Sequence, residues 1–212
     1  MFIEMLDLLR CINEHDDTWL VASFRTVSNR FVQEATLGCP VCSAKYSIEK
    51  GVADFTLGES VPSCDEERAA ANHEREELAT RAGAYLNATE PGATIALGGV
   101  WAYAAGDLSQ IADVRVLALN PSGAVQESAR VGLLRVAADI PVAPASLLGI
   151  ALDAWFPKQI VNAAVKAVRP GGRVVGPSGM TAPPGLQVLA RDKNYWVAQK
   201  PPEVITLRRA SP

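Results

Sequence analysis

The chain is 212 residues long, 49% hydrophobic and 20% charged, with 20 Lys and Arg against 23 Asp and Glu for a net charge of −3. That is an ordinary globular composition with ample material for a core. It carries no overall basic field, which weighs against an autonomous nucleic-acid binder and leaves open only a local basic patch.

The opening segment, Met1 to Asp7, lacks the basic flank and long apolar run of a signal peptide. The weakly polar runs around 93–106 and 140–152 contain Gly or Pro and fall short of a membrane span. With four cysteines and no export signal, reduced thiols and a cytoplasmic location are expected.

A short apolar lead, Met5–Arg10, runs into Cys11-Ile12-Asn13-Glu14-His15. Two β-rich segments follow, Thr18–Ser23 and Arg30–Ala35, then a tight Cys-x-x-Cys turn at Cys39 and Cys42. Two more short β segments, Ala44–Ile48 and Gly51–Phe55, close the region. Tetrahedral zinc takes four N or S ligands, and two short-spaced pairs brought together by strands supply them. Cys39 with Cys42 is one such pair, and Cys11 with His15 is the other. Glu14 is an alternative to His15, and a redox role is the alternative for Cys39 and Cys42. A module this small buries little apolar surface, so a structural metal would help hold it.

Met5 to Cys11, Leu37-Gly38-Cys39-Pro40-Val41-Cys42, Tyr46-Ser47-Ile48 and Gly51 to Phe55 resemble the zinc-ribbon activator subunits of tRNA, rRNA and release-factor methyltransferases and their bacterial relatives. The resemblance covers about residues 1–55. In that family the first knuckle usually carries Cys-Pro-x-Cys, so the Cys11 and His15 pair is a departure.

Residues 58–65 are rich in Pro, Gly and Ser and suit a linker between a module at 1–57 and a second at 66–212. Glu66–Asn87 has helical spacing of Ala69, Ala70, Leu78, Ala82 and Tyr85. His73 reads as an ordinary helix residue and Cys64 as standing apart from the metal ligands. Pro91–Ala102 is a turn, a short apolar strand, a bend at Gly98 and Gly99, and an Ala-rich helical start. In open α/β sheets such a bend is where a nucleotide cofactor lies.

Further strands are expected at Val114–Leu119, Leu133–Ala137, Leu147–Leu152 and Arg173–Gly176. Ala124–Arg130 allows about two helical turns. Phe156–Val168 is an amphipathic helix that Arg169-Pro170-Gly171-Gly172 should stop. A hairpin is expected from Leu186–Ala190 and Tyr195–Gln199, with one more strand at Val204–Leu207. The alternation implies an α/β fold: a small β-rich zinc ribbon, then a minimal Rossmann-like doubly wound sheet.

This order, with Pro91 to Ile95, Ala138 to Val142, Ala145 to Leu148 and Val168 to Val175, resembles class I S-adenosylmethionine-dependent methyltransferases over about residues 66–208. In that family the first strand ends in an acid followed by Gly-x-Gly, and the second ends in an acid that holds the ribose. Here Ala96 stands at the first acid, the bend reads Gly98-Gly99-Val100-Trp101, and Asn120 stands at the second acid. Trp101 is expected to fill volume that a cofactor would need. Gly98, Gly99, Asn120 and Asp139 are the cofactor-binding residues if S-adenosylmethionine binds, and Asp153 is the candidate general base.

These substitutions imply a methyltransferase-like domain that has lost cofactor binding and serves as a non-catalytic scaffold or partner subunit, binding a protein partner or a second copy. The alternative is an active methyltransferase acting on RNA, protein or a small molecule.

Overall fold

The computed structural model describes residues 1–61 and 72–202. Expectations for Cys64, for the helix over 66–71 and for a strand at Val204–Leu207 fall outside the described residues.

The chain starts with a 3-10 turn over Ile3–Leu8 and then forms two hairpins. β1 (Val21–Ser28) pairs antiparallel with β2 (Phe31–Gly38). Their turn, Asn29-Arg30, has φ of 49° and 67°. β3 (Lys45–Glu49) pairs with β4 (Val52–Phe55) through Lys50-Gly51, with φ of 50° and 79°. Two positive-φ residues match the right-handed twist of the flanking strands, and Asn and Gly take that conformation at least cost. Alternation along β2, β3 and β4, reset in β2 by the register shift between Glu34 and Val32, turns Val32, Leu37, Tyr46, Ile48, Ala53 and Phe55 into the core. Tyr46 stacks on Phe55 at 4.5 Å between ring centroids.

After α1 (Asn72–Leu86) come β5 (Thr94–Gly98), α2 (Ala105–Ile111), β6 (Arg115–Leu119), β7 (Val131–Val136) and β8 (Leu147–Ala151). Then follow α3 (Lys158–Ala167), β9 (Val168–Pro177), β10 (Gln187–Arg191) and β11 (Tyr195–Gln199). β5 and β8 are buried along their whole length, as apolar runs covered on both faces should be.

The eleven strands among the described residues join one sheet in the order β1-β2-β3-β4-β7-β6-β5-β8-β9-β11-β10. The stretch from β4 to β9 is parallel, and the flanking hairpins are antiparallel. Taking β5 as the first strand of the α/β part, β7-β6-β5-β8-β9 is the doubly wound order 3-2-1-4-5. The mixed α/β, Rossmann-like fold follows from that order. Among the described residues, no helix is long and apolar enough to cross a membrane.

The N-terminal hairpins are continuous with this sheet, because β4 pairs in parallel with β7 from Val52–Leu133 to Phe55–Val136. The core is continuous too. Met1, Met5 and Leu9 pack in one cluster with Leu117, Leu134, Ile140 and Val142. The connection from β7 to β8 carries no helix, and the N-terminal segment covers that face instead. Its close seat is Gly132, where a Cβ would lie 3.2 Å from the Met5 Cε.

Two expectations for the α/β part need correction. Ala124–Arg130 is not helical. The Ser122 Oγ accepts the Ala124 N–H at 3.3 Å, and the Ser128 Oγ accepts those of Arg130 and Val131 at 3.2 and 3.1 Å. Serine side chains thus satisfy backbone donors that a helix would have used.

Arg169–Gly172 does not separate helix from strand, since β9 already begins at Val168. A Cβ on Gly172 would lie 2.5 Å from the Leu148 carbonyl, where the β8–β9 register shifts. Glycine there lets the backbones approach at an irregularity. The helix ends through other groups: Lys200 Nζ donates to the Val165 and Val168 carbonyls, both at 2.8 Å.

At the other end of the sheet, Trp196 is fully buried, and its Nε1–H donates to the Met180 carbonyl at 2.8 Å. Its ring lies directly on Gly176, so a methyl group there would overlap the indole. Gly176→Ala is expected to destabilise the protein by about 2–3 kcal/mol through overpacking, read as a lower denaturant midpoint with an unchanged slope.

Candidate metal centre and nucleotide crevice

The lead segment positions the first ligand pair. Arg10 N–H donates to the Pro141 carbonyl at 3.0 Å and Leu9 bridges Val142, so Cys11 leaves a fixed point on the sheet. The second pair sits in a backbone knuckle after β2. Cys39 N–H donates to Ala44 O at 2.9 Å, Ser43 N–H donates to Cys39 O at 3.0 Å, and Ser43 takes φ of 61°.

Together these place the ligand atoms of Cys11, His15, Cys39 and Cys42 within 4.8 Å of one another. Cys11 Sγ lies 3.6 Å from Cys42 Sγ, and His15 Nε2 lies 3.3 Å from Cys39 Sγ. A zinc tetrahedron with Zn–S of about 2.3 Å and Zn–N of about 2.0 Å has edges of about 3.5–3.8 Å. This Cys/His cluster could therefore hold a metal ion with little movement. Glu14 is exposed and lies outside it.

The surroundings tune the donors. His15 Nδ1 lies 2.7 Å from the Asp16 carbonyl, which fixes Nδ1 as the protonated nitrogen and leaves Nε2 to face the thiols. The same carbonyl contact raises the pKa of His15. The Cys42 thiol is drawn down to about 6, chiefly by the backbone N–H of Ala44, with the Asn13 amide adding to it at 3.3 Å. Burial pushes the Cys11 thiol up, against a hydrogen bond with the Tyr46 hydroxyl at 3.2 Å. Burial and that same bond raise Tyr46. A thiolate already favoured at Cys42 is the form that a metal binds.

The second place of interest is the switch point of the sheet, where chain order reverses between β5 and β8. Gly98 and Gly99 lead out of β5, and Gly99 has φ of 64°. Asp153 is 4% exposed, and its carboxylate accepts the Val100 N–H at 2.6 Å and the Trp155 N–H at 3.0 Å. A Cβ on Gly98 would lie 2.6 Å from the Phe156 ring, and one on Gly99 would overlap the Asp153 carboxylate.

Asn120 follows β6 with φ of 48°. Its Nδ2–H donates to the Val136 carbonyl at 2.9 Å and its Oδ1 accepts the Val136 N–H at 2.8 Å. The amide imitates a strand partner and joins the ends of β6 and β7.

A groove of about 450 Å³ remains at these strand ends, lined by Gly99, Asn120, Val136, Ala137, Phe156 and the chain at Glu59–Val61, among others. Asp139 is half-buried and accepts the Ile140 N–H at 2.7 Å; Val136 and Ala137 take the place beside the groove. Trp101 does not enter the crevice. It is fully buried with Tyr85 and Tyr195, at centroid distances of 6.0 and 4.9 Å, in the cluster on the α1 and α2 face. The aromatic side chain at the glycine bend is Phe156.

The spacing of glycines and the missing acids are readable in the chain. The engagement of Asn120 with Val136 and of Asp153 with Val100 is not, because each joins positions 16 and 53 residues apart.

No protein-family model matches the chain, and no curated protein matches it. Solved structures similar to it include a Galdieria sulphuraria protein assigned as a sarcosine dimethylglycine methyltransferase, 18% identical. That match covers 53% of this chain and 49% of the other at a TM-score of 0.41. Phosphoethanolamine N-methyltransferase 2 of Haemonchus contortus, solved with S-adenosyl-L-methionine, is 15% identical over 50% of this chain and 28% of its own, with a TM-score of 0.40. The MycE methyltransferase of the mycinamycin pathway is 12% identical over 60% and 48%, with a TM-score of 0.45. The chain thus spans about half or less of each of these proteins.

Proposed function

We propose that residues 1–57 form a zinc-holding β module, joined by a linker at 58–65 to a methyltransferase-like domain at 66–212 that has lost S-adenosylmethionine binding. The chain then acts as a non-catalytic scaffold or partner subunit. The observation that carries this reading is the internal use of the crevice's polar groups. Val100 N–H is bound to Asp153, both amide atoms of Asn120 are bound to Val136, and Ala96 offers no carboxylate. These residues do not fit the cofactor. Losing two charge-assisted contacts costs several kcal/mol, about a thousandfold in affinity.

Three thiols and an imidazole are the donor set of a structural zinc site with no open position. The resemblance of residues 1–55 to methyltransferase activator subunits supports a partner role. So does β1, an edge strand with exposed Val21, Phe24 and Val27.

The rival reading is an active methyltransferase acting on RNA, protein or a small molecule, and the remaining groove favours it, since its volume suits a nucleoside-sized ligand. Thermal denaturation with S-adenosylhomocysteine separates the two. A micromolar ligand at millimolar concentration adds about 4 kcal/mol, or about 8–16 °C for a chain of this size. The scaffold reading expects a shift under about 1 °C.

A further inference from the structure

Two side chains from the segment after β8 reach back across the switch point to the bend after β5. The Asp153 carboxylate lies over Gly99 and binds the Val100 N–H at 2.6 Å; the Phe156 ring lies over Gly98. Asp153 is 4% exposed and Phe156 likewise. Backbone N–H groups at a glycine bend after a parallel strand are an anion seat, and the apolar space beside it suits a flat ring.

We infer that Asp153 and Phe156 are a built-in occupant of the nucleotide crevice. The carboxylate takes the anion seat, and the ring takes the adjoining apolar space. This rests on the reading that the domain has lost its cofactor and names what replaced it.

The proposal explains three features with one cause. Asp153 is deeply buried with its carboxylate on the Val100 and Trp155 N–H groups, charge-assisted bonds that favour its ionised form. At Gly98 and Gly99 the incoming side chains leave no room for a Cβ. The bend keeps a defined shape, with Gly99 at φ of 64°, without requiring a cofactor. A seat built for a carboxylate should also accept a small one from solution once its own is removed.

Chemical rescue tests this. Asp153→Ala is expected to melt below the wild type. Sodium acetate should recover part of that loss relative to sodium chloride at matched ionic strength, while the wild type melts alike in both salts. Equal acetate shifts in the two proteins, or an Asp153→Ala chain that melts with the wild type, would overturn the proposal.

Amide exchange keeps the test decisive if Asp153→Ala does not fold. In the wild type the Val100 amide should be protected, and Asp153→Asn should speed its exchange roughly 10- to 100-fold, the factor that a charged hydrogen bond carries. An unprotected Val100 amide in the wild type, or no change in Asp153→Asn, contradicts the proposal. Micromolar binding of S-adenosylhomocysteine by the wild type is a separate outcome, and it defeats the scaffold reading itself.

Discussion

A Cys39→Ser chain is expected to hold no zinc, and strands β1 to β4 should lose their amide protection. The wild type should carry about one zinc per chain. Cys39 is the buried ligand of the set, 3.3 Å from His15 Nε2 and in the knuckle that also presents Cys42. Serine oxygen is a poor substitute for a thiolate at a structural zinc site. Apparent zinc binding in small modules is worth about 10 kcal/mol or more at neutral pH, and much of that is folding free energy.

The effect should spread beyond the hairpins, because β4 pairs with β7 and Met1, Met5 and Leu9 cover the sheet face below it. A chelator should reproduce the loss in the wild type. Acidification acts in the same direction, since protons compete for the ligands. Metal analysis alongside hydrogen exchange checks both. Normal protection of β1 to β4 in metal-free Cys39→Ser would refute the ribbon.

Asn120→Asp carries the next largest effect, with a sign opposite to the one that family resemblance suggests. The substitution puts back the carboxylate that the resembled family uses for the ribose, yet S-adenosylhomocysteine binding should not return. Stability should fall by about 2–4 kcal/mol, because the Val136 carbonyl loses its donor and faces a buried carboxylate. Asn120→Ala should cost a similar amount, leaving both Val136 backbone groups unpaired. Urea denaturation measures each loss. A stable Asn120→Asp protein that binds the ligand would show that Asn120 is only a weakened cofactor contact.

The two sites differ in how far sequence alone could carry them. The candidate metal ligands come in pairs three or four residues apart, and short spacing of soft donors is a local signal. The parallel core was equally readable, because strands buried on both faces are continuous apolar runs such as Ile95–Leu97 and Val116–Leu119. The crevice was readable only by what it lacks. Ala96 and Asn120 mark missing acids, but what occupies the seat depends on where the segment after β8 lands.

Trp101 shows the same limit from the other side. Its place after two glycines suggested a blocking residue, whereas the 3-10 turn over Gly99–Ala104 carries it to the opposite face beside Tyr85. The junction between β4 and β7 also had no local signal, since pairing between positions 52 and 133 is set by the whole sheet. Serine capture of backbone donors at Ser122 and Ser128 overrode the helical spacing of the segment between them.

Calorimetric titration of the zinc-loaded protein with S-adenosylhomocysteine tests the central claim most directly. An internally occupied crevice predicts no saturable heat up to millimolar ligand. A one-to-one isotherm with a micromolar Kd would contradict it.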